Sequence, residues 1–161
     1  MRTLANTIKW DLLIQNKYQI INVLFAVTGL YLLLLWLVPA LRFDELLILL
    51  VFFDPSMLGL TFIGALVLFE KGDNTLEALV VTPIKLWQYL WSKALSLTIM
   101  AVLSGILIAG MGHGWGQIDY SLFIPGVALT SILYALMGLG LVANVQTLNG
   151  YLIKVALLTI P

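Results

Sequence analysis

Long apolar runs alternate with short polar segments along the whole chain. Four runs, at about 20–38, 46–69, 94–112 and 122–143, are close to the ~20 residues that a helix needs to cross the hydrocarbon core of a bilayer. A fifth run begins at residue 151 and reaches Pro161 before it could cross, so we expect the chain to be truncated at its C-terminus. The pattern predicts an all-α membrane protein, a polytopic transmembrane helix bundle that forms a single domain over residues 1–161.

Composition agrees with lipid as the surroundings of this bundle. Hydrophobic residues make up 61% of the 161, mean hydropathy is +1.05 and charged residues are 10%, against about 25% in a typical soluble domain. A soluble domain of this size could not bury so much apolar surface, so the bilayer must cover the excess. The net charge of zero gives no indication of a nucleic-acid partner, and the absence of cysteine excludes disulfides and thiolate metal sites.

Residues 2–17 have the pattern of an amphipathic helix that lies in the membrane interface. On a helical wheel one arc is apolar and the arc roughly opposite is polar, although Leu13 breaks the pattern. The apolar arc holds Leu4, Ala5, Ile8 and Leu12, and the polar arc holds Arg2, Asn6 and Lys9. We expect Trp10 at headgroup level, and a frayed cytoplasmic tail is the alternative.

Basic residues predict the orientation, because cytoplasmic segments of membrane proteins carry an excess of Lys and Arg. With the N-terminus in the cytoplasm, the outer segments hold only Arg42. The inner segments then hold Arg2, Lys9, Lys17, Lys71, Lys85, Lys93 and Lys154. We therefore expect a multi-pass protein of the plasma (inner) membrane, with a cytoplasmic N-terminus and a cytoplasmic loop at 70–93.

The second apolar run contains one carboxylate, Asp54, directly before Pro55. Aspartate is a favoured N-cap and proline a favoured first helical residue. We therefore predict that a helix begins at Pro55 with Asp54 as its cap. The alternative is an intramembrane carboxylate that binds a cation or a proton.

Small residues recur at helical spacing in the last two predicted spans. Such stripes allow another helix to approach closely. The predicted helix-packing positions are Ala101, Gly105 and Ala109 in the third span, and Ala128, Ser131, Ala135 and Gly138 in the fourth.

The loop at 70–93 has the pattern of a short amphipathic helix followed by an elbow. Residues 75–81 can form a helix that Asp73 or Asn74 caps, with an apolar face of Leu76, Leu79 and Val80 at i, i+3, i+4 spacing. Thr82-Pro83 ends it, since the residue before proline avoids the helical region, and a new helix starts at Pro83. The apolar face needs a partner, either a groove on another protein or lipid in a re-entrant turn.

Common nucleotide-binding and catalytic motifs are missing from the sequence. It has no phosphate-binding G-x-x-x-x-G-K-[ST] loop, no H-E-x-x-H and no G-x-S-x-G. His113, the only histidine, lies in a glycine-rich turn and is interpreted as a solvated loop residue. We therefore predict no catalytic residue, no metal site and no cofactor in this chain.

The stretch E-K-G-D-N-T-L-E-A-L-V-V-T-P-I-K-L-W-Q-Y-L-W-S-K, residues 70–93, resembles the signature loop of ABC-2-type transporter permeases. The matching positions are Glu70, Thr75, Leu76, Glu77, Leu79, Thr82, Pro83 and Lys93. Asn74 departs from the pattern, where glycine is common, as does the sparse basic charge after Glu70. Within the family, fluoroquinolone export permeases are the most similar to two segments, W-D-L-L-I-Q and F-F-D-P-S-M-L-G. The family usually has six spans, which implies that this chain covers about two thirds of one permease.

The resemblance implies a membrane subunit of an ATP-driven exporter, which forms the translocation path for a lipophilic small molecule. A second permease copy, identical or related, and ATPase subunits on another chain would complete it, with ATP and Mg on the ATPase. The implied ATPase-coupling residues are Glu70, Thr75, Leu76, Glu77, Leu79, Val80 and Pro83. Glu70 and Glu77 would contact the ATPase or anchor the loop, and the elbow at Pro83 would pass motion to the neighbouring spans.

Two other classes of function stay open. A membrane-embedded enzyme of lipid chemistry would use Asp54, His113 or Asp119, although no acid–base or metal cluster accompanies them. An ion-coupled carrier or channel would use Asp54 as its intramembrane site.

Overall fold

The computed structural model describes residues 2–38, 44–73, 85–116 and 118–159, with side chains at all of these except 2–5, 44–47, 49, 51–58, 86 and 159. The described residues form helices and no strand. In chain order the helices are α1 (Arg2–Lys17), α2 (Ile20–Leu37), α3 (Asp44–Gly72), α4 (Leu86–His113), α5 (Tyr120–Val142) and α6 (Leu148–Thr159).

Three of these helices are long and apolar enough to cross a membrane: Ile20–Leu37, Trp87–His113 and Tyr120–Val142. α3, at 29 residues, reaches about 43 Å at 1.5 Å per residue. It packs along both α4 and α5, and α4 also contacts α1 and α2. The predicted fold class, an all-α membrane helix bundle, is confirmed.

The prediction that Asp54 caps a helix beginning at Pro55 is wrong. α3 runs without a break from Asp44 to Gly72, so the backbone of Asp54 lies inside the helix. A proline removes one helical hydrogen bond and crowds one carbonyl. A long helix in a membrane tolerates that loss, because its neighbours and local adjustments satisfy the freed group. α5 likewise contains Pro125.

The predicted start of the third helical segment also needs correction. α4 begins at Leu86 and not at Pro83, because Lys85 has extended backbone (φ −74°, ψ 141°) and is the N-cap. The Gln88 side chain accepts a hydrogen bond from the Lys85 backbone N–H at 3.3 Å. Gln88 thereby satisfies one of the donors that a helix start leaves free.

The aromatic side chain of Tyr151 attaches α6 to α3. Tyr151 is fully buried, and its hydroxyl donates a hydrogen bond to the carbonyl of Leu60 in α3. Its ring lies against Gly64, where a Cβ atom would overlap the ring carbons. Gly64 is therefore required for the close approach of α6 to α3.

The outward faces of the helices are apolar. Leu30 and Trp36 on α2, Leu129 on α5 and Leu157 on α6 are exposed. A monomeric soluble protein rarely exposes contiguous apolar surface on this scale. In a bilayer these faces contact lipid.

Candidate functional site: a buried ionic cluster at the ends of three helices

Among the predicted coupling residues, the structure describes Glu70 alone. Thr75, Leu76, Glu77, Leu79, Val80 and Pro83 lie outside the described residues, and so does the predicted amphipathic segment 75–81. Their coupling role stays a prediction. Glu70 is two residues before the end of α3 and only 1% exposed, so its side chain faces the interior of the bundle.

Lys93 of α4 is the partner of Glu70. Its Nζ lies 2.5 Å from Glu70 Oε1 and 3.1 Å from Asp11 Oδ1 of α1. The Lys93 side chain is fully buried, and Asp11 is 4% exposed. We call Asp11, Glu70, Tyr89, Ser92 and Lys93 the Lys93 cluster. The sequence predicted Lys93 as the last residue of the cytoplasmic loop 70–93, whereas the structure places it inside α4, where two buried carboxylates hold its ammonium.

The remaining oxygens of the two carboxylates also have donors. The Tyr89 hydroxyl donates to Glu70 Oε2 at 2.6 Å, and the Ser92 hydroxyl donates to Asp11 Oδ2. The Lys93 Nζ lies 4.7 Å from the centre of the Tyr89 ring, within range of a cation–π contact. Each carboxylate is thus bound at both oxygens, as buried charge requires.

One turn further along, the same two helices make a second polar contact. Gln15 Nε2 of α1 donates to Ser96 Oγ of α4 at 2.7 Å, and the Ser96 hydroxyl donates to the carbonyl of Lys93 at 3.0 Å. Both side chains are fully buried. The contact between α1 and α4 is therefore polar over at least one helical turn.

Helical spacing explains how the sequence builds this contact. Positions 89, 92, 93 and 96 of α4 follow i, i+3, i+4, i+7 spacing, and positions 11 and 15 of α1 are four apart, so each set shares one face. Asp11 and Gln15 also fall on the arc of α1 that holds Ile8 and Leu12. An acid and an amide within an apolar arc need a buried partner. The position of Asp11 within that arc is therefore a signal in the sequence from which its burial could have been predicted.

The face of α1 opposite the cluster is exposed. Trp10 is 66% and Leu13 51% exposed, whereas Ile8 and Leu12 are half-buried. The expected apolar arc thus faces the bundle in part, and Trp10 and Leu13 face outward. Leu13, which broke the amphipathic pattern, is on the exposed side.

A second, exposed contact joins the end of α3 to the junction between α1 and α2. The Tyr18 hydroxyl donates to Asp73 Oδ2 at 2.6 Å, and Lys17 Nζ lies 3.5 Å from the same oxygen. The Tyr18 ring packs against Phe69 with ring centres 5.2 Å apart. The hydrogen bond to Asp73 raises the pKa of Tyr18 to about 12, and the same bond lowers the pKa of Asp73.

The end of α3 makes a third contact, to the turn between α5 and α6. Lys71 Nζ donates to the carbonyl of Val145 at 3.4 Å. Glu70, Lys71 and Asp73 therefore bind three different parts of the bundle within four residues.

Residues proposed for a membrane-embedded enzyme have structural roles or fall outside the described side chains. Asp119 is the N-cap of α5: its Oδ1 accepts hydrogen bonds from the backbone N–H of Ser121 at 3.1 Å and from the Ser121 hydroxyl at 2.7 Å. The hydroxyl contact, followed by the backbone one, lowers the pKa of Asp119. His113 is the last residue of α4. The side chain of Asp54 is not among those described.

Within the described residues, no group of three or more His, Cys, Asp or Glu side chains could hold a metal ion.

Most of the small residues predicted for helix packing lie inside the bundle. The buried ones are Ala101, Gly105, Ala109, Ser131, Ala135 and Gly138, and Ala128 is half-buried. Gly138 lies against α3, where a Cβ atom would overlap Ile63.

Comparison with known proteins gives a family match over nearly the whole chain. Residues 2–160 match the fluoroquinolones export permease protein family. Two curated relatives, the fluoroquinolones export permease proteins of Mycobacterium tuberculosis strains CDC 1551 / Oshkosh and ATCC 25618 / H37Rv, are 33% identical over 85 residues. That alignment covers 53% of this chain and 35% of each relative, so it spans about a third of their length. No solved structure matches the chain.

Proposed function

Because the chain belongs to the fluoroquinolones export permease protein family, we propose that it is a membrane subunit of an ATP-driven exporter of lipophilic small molecules, with fluoroquinolones as the first class to test. The chain carries no phosphate-binding loop. ATP and Mg would therefore bind a separate ATPase subunit, and a second permease copy would complete the path across the bilayer.

The observation that carries the proposal is the Lys93 cluster at the base of the loop between α3 and α4. Glu70 lies in the last turn of the helix before that loop, and Tyr89 and Lys93 are the fourth and eighth residues of the helix after it. Their contacts join the two helix ends at 2.5 Å and 2.6 Å. A displacement of the loop therefore moves α3 and α4 together.

Asp11 extends this unit to α1. Because Lys93 binds carboxylates from α1 and α3 simultaneously, separation of α4 would leave two buried carboxylates without their cation. That outcome is strongly unfavourable, of order 3–5 kcal/mol. The ends of α1, α3 and α4 are thus expected to move as one rigid body when the ATPase presses on the loop.

The burial of Glu70 supports an anchoring role rather than direct contact with the ATPase. Its side chain is buried within this chain, so a partner can reach it only by opening the cluster. Contact with the ATPase would fall to the segment from Thr75 to Val81. The ATPase can shift the spans between two arrangements only if it binds them with different free energies.

The expected orientation puts the N-terminus and the loop in the cytoplasm and the chain in the plasma membrane. Its support is the distribution of Lys and Arg, of which Lys9, Lys17, Lys71 and Lys85 are exposed. Lys93 no longer counts toward that excess, since it is buried.

The experiment that tests the proposal is purification in mild detergent from native membranes, followed by native mass spectrometry. We expect a stoichiometric complex of this subunit with an ATPase. Glu70→Gln and Lys93→Met should weaken the complex, and the exposed Lys154→Met is the matched control. Recovery of the subunit without any ATPase, under conditions that keep other membrane complexes intact, would contradict the proposal.

A second candidate function is ion-coupled transport through Asp54. The continuous α3 favours it, since helix capping no longer accounts for a carboxylate within a long apolar helix. An acidic side chain at such a position has an unfavourable free energy in lipid, and in many transporters it marks an ion or proton path. Flux that follows a proton gradient without ATP, and that Asp54→Asn abolishes, would support this alternative.

A further inference from the structure

The end of α3 is the last described part of the chain before the loop, and each of its polar side chains binds a different element. Glu70 binds α4 and, through Lys93, α1. Lys71 binds the turn between α5 and α6. Asp73 binds Tyr18, which lies between α1 and α2. The contact made by Asp73 is the one that reaches the start of the first membrane span.

This contact adds to a weak direct packing of α2 against α3. α2 packs mainly against α4 and α1. Tyr18 precedes Gln19, the N-cap of α2, which has left-handed backbone (φ 58°). A non-glycine residue in that conformation marks a sharp bend. Tyr18 thus lies at the bend between α1 and α2, beside the end of α3.

Three contacts converge on this point. The hydroxyl of Tyr18 binds Asp73 Oδ2, the ammonium of Lys17 reaches the same oxygen, and the ring of Tyr18 packs on Phe69. A hydrogen bond to an ionised acceptor is stronger than one between neutral groups. Lys17 and Asp73 are 71% and 50% exposed, so both charges stay in water when the contact breaks. Breaking the Lys93 cluster would instead leave buried charges without partners.

Resting on the function proposed above, we infer that Tyr18 and Asp73 are positioning residues that carry displacement of the loop after α3 to the start of α2. The Lys93 cluster holds α1, α3 and α4 together, and the Tyr18–Asp73 contact joins the end of α3 directly to the residues that precede α2. When Asp73 moves with the end of α3, Tyr18 moves with it and tilts the first turn of α2.

The test is the ratio of drug transported to ATP hydrolysed, measured for the purified permease–ATPase complex in proteoliposomes with a fluorescent fluoroquinolone. Tyr18→Phe removes the hydroxyl and keeps the ring against Phe69. We expect ATP hydrolysis within twofold of wild type and the transport ratio lowered about fivefold, because solvent screens this exposed bond to about the strength of a neutral one. Asp73→Asn should act in the same direction, and Asp73→Glu should restore part of the ratio.

Tyr120→Phe is the matched control. Its hydroxyl also makes an exposed hydrogen bond, to the carbonyl of Trp115 at 3.1 Å, but at the turn between α4 and α5. A loss of folded protein would lower transport and hydrolysis together, so only a changed ratio supports the positioning role. Tyr120→Phe should leave the ratio unchanged.

A distance measurement separates this inference from the proposed function. The chain has no cysteine, so spin labels at Asn16→Cys and Gly72→Cys report a single distance across the contact. Both sites can accept a label, because Asn16 is exposed and Gly72 has open space at its Cβ position. We expect one narrow distance distribution in wild type and a broad one in Tyr18→Phe. Unchanged distances together with an unchanged ratio in Tyr18→Phe would overturn the inference and leave the exporter function standing. Absence of ATP-dependent transport in wild type would overturn the exporter function, and the positioning role with it.

Discussion

Lys93 and Glu70 lie on opposite sides of the loop between α3 and α4, and their charged groups are 2.5 Å apart in the interior of the bundle. Asp11, from a helix 82 residues away in sequence, binds the same ammonium. This arrangement joins the end of α3 to the first turns of α4 through buried charges. It is the feature from which the proposed coupling between an ATPase and the membrane spans derives.

The first prediction concerns the stability of the cluster. Lys93→Met leaves two buried carboxylates without a cation, so we expect the free energy of unfolding to fall by about 3–5 kcal/mol. Asp11→Asn and Glu70→Gln, added to Lys93→Met, should recover part of that loss because no buried charge remains. Equilibrium unfolding in mixed micelles measures these differences.

Lys154→Met on α6 is the control for that series, since Lys154 is exposed, and we expect little change there. If Lys93→Met unfolded at the same denaturant concentration as wild type, the cluster would not bind the three helices together as described.

The second prediction concerns the attachment of α6. Gly64→Ala places a methyl group within the ring of Tyr151, and such overpacking is expected to cost about 1–3 kcal/mol. Gly140→Ala is the matched control, because its Cβ position has no neighbour within 4 Å. Alanine is the better helix former, so that variant should be neutral or slightly stabilising. Thermal unfolding in detergent, followed by size-exclusion chromatography, compares the two; equal losses in both variants would contradict the packing of Tyr151 on Gly64.

The third prediction concerns pH. The pKa of Asp73 is lowered by its bond to Tyr18, so the stabilisation from that bond is present above the ordinary aspartate range and is lost as pH falls through the lowered pKa. The pKa of Tyr18 is raised from 10.0 to about 12, so the stabilisation is present below pH 10 and is lost as pH rises through about 12. The bond therefore persists throughout the neutral range.

Titration of protein that carries ¹³Cζ-labelled tyrosine measures this shift. The pKa of Tyr18 should lie near 12 in wild type, and Asp73→Asn should return it toward 10.0, because the carboxylate that favours the neutral phenol is gone. An identical Tyr18 titration in wild type and Asp73→Asn would show that the two side chains are not bonded in solution.

The sequence predicted the helical membrane fold because apolar run length alone decides whether a segment can cross a bilayer. Local signals were less reliable. The Asp54-Pro55 pair has the chemistry of a helix start, yet α3 continues through it, since packing along α4 and α5 outweighs one lost hydrogen bond.

The cluster could be predicted only in part. Glu70 and Lys93 stood out through the family resemblance, but a pattern of residue types cannot show that two charges 23 positions apart meet inside the bundle. Asp11 could not be paired at all, because its contact depends on which face of α1 meets α4. Tertiary packing decides that, and packing is not encoded in periodicity alone.

ATP-dependent transport of a fluoroquinolone tests the central claim most directly. The measurement uses inside-out membrane vesicles that contain the full chain and its native partners, with drug fluorescence as the signal and the proton gradient collapsed by an ionophore. We predict uptake that requires hydrolysable ATP, that persists without the gradient, and that Lys93→Met removes while Lys154→Met does not. Uptake that follows the proton gradient without ATP and disappears in Asp54→Asn would contradict the account and identify the chain as an ion-coupled carrier.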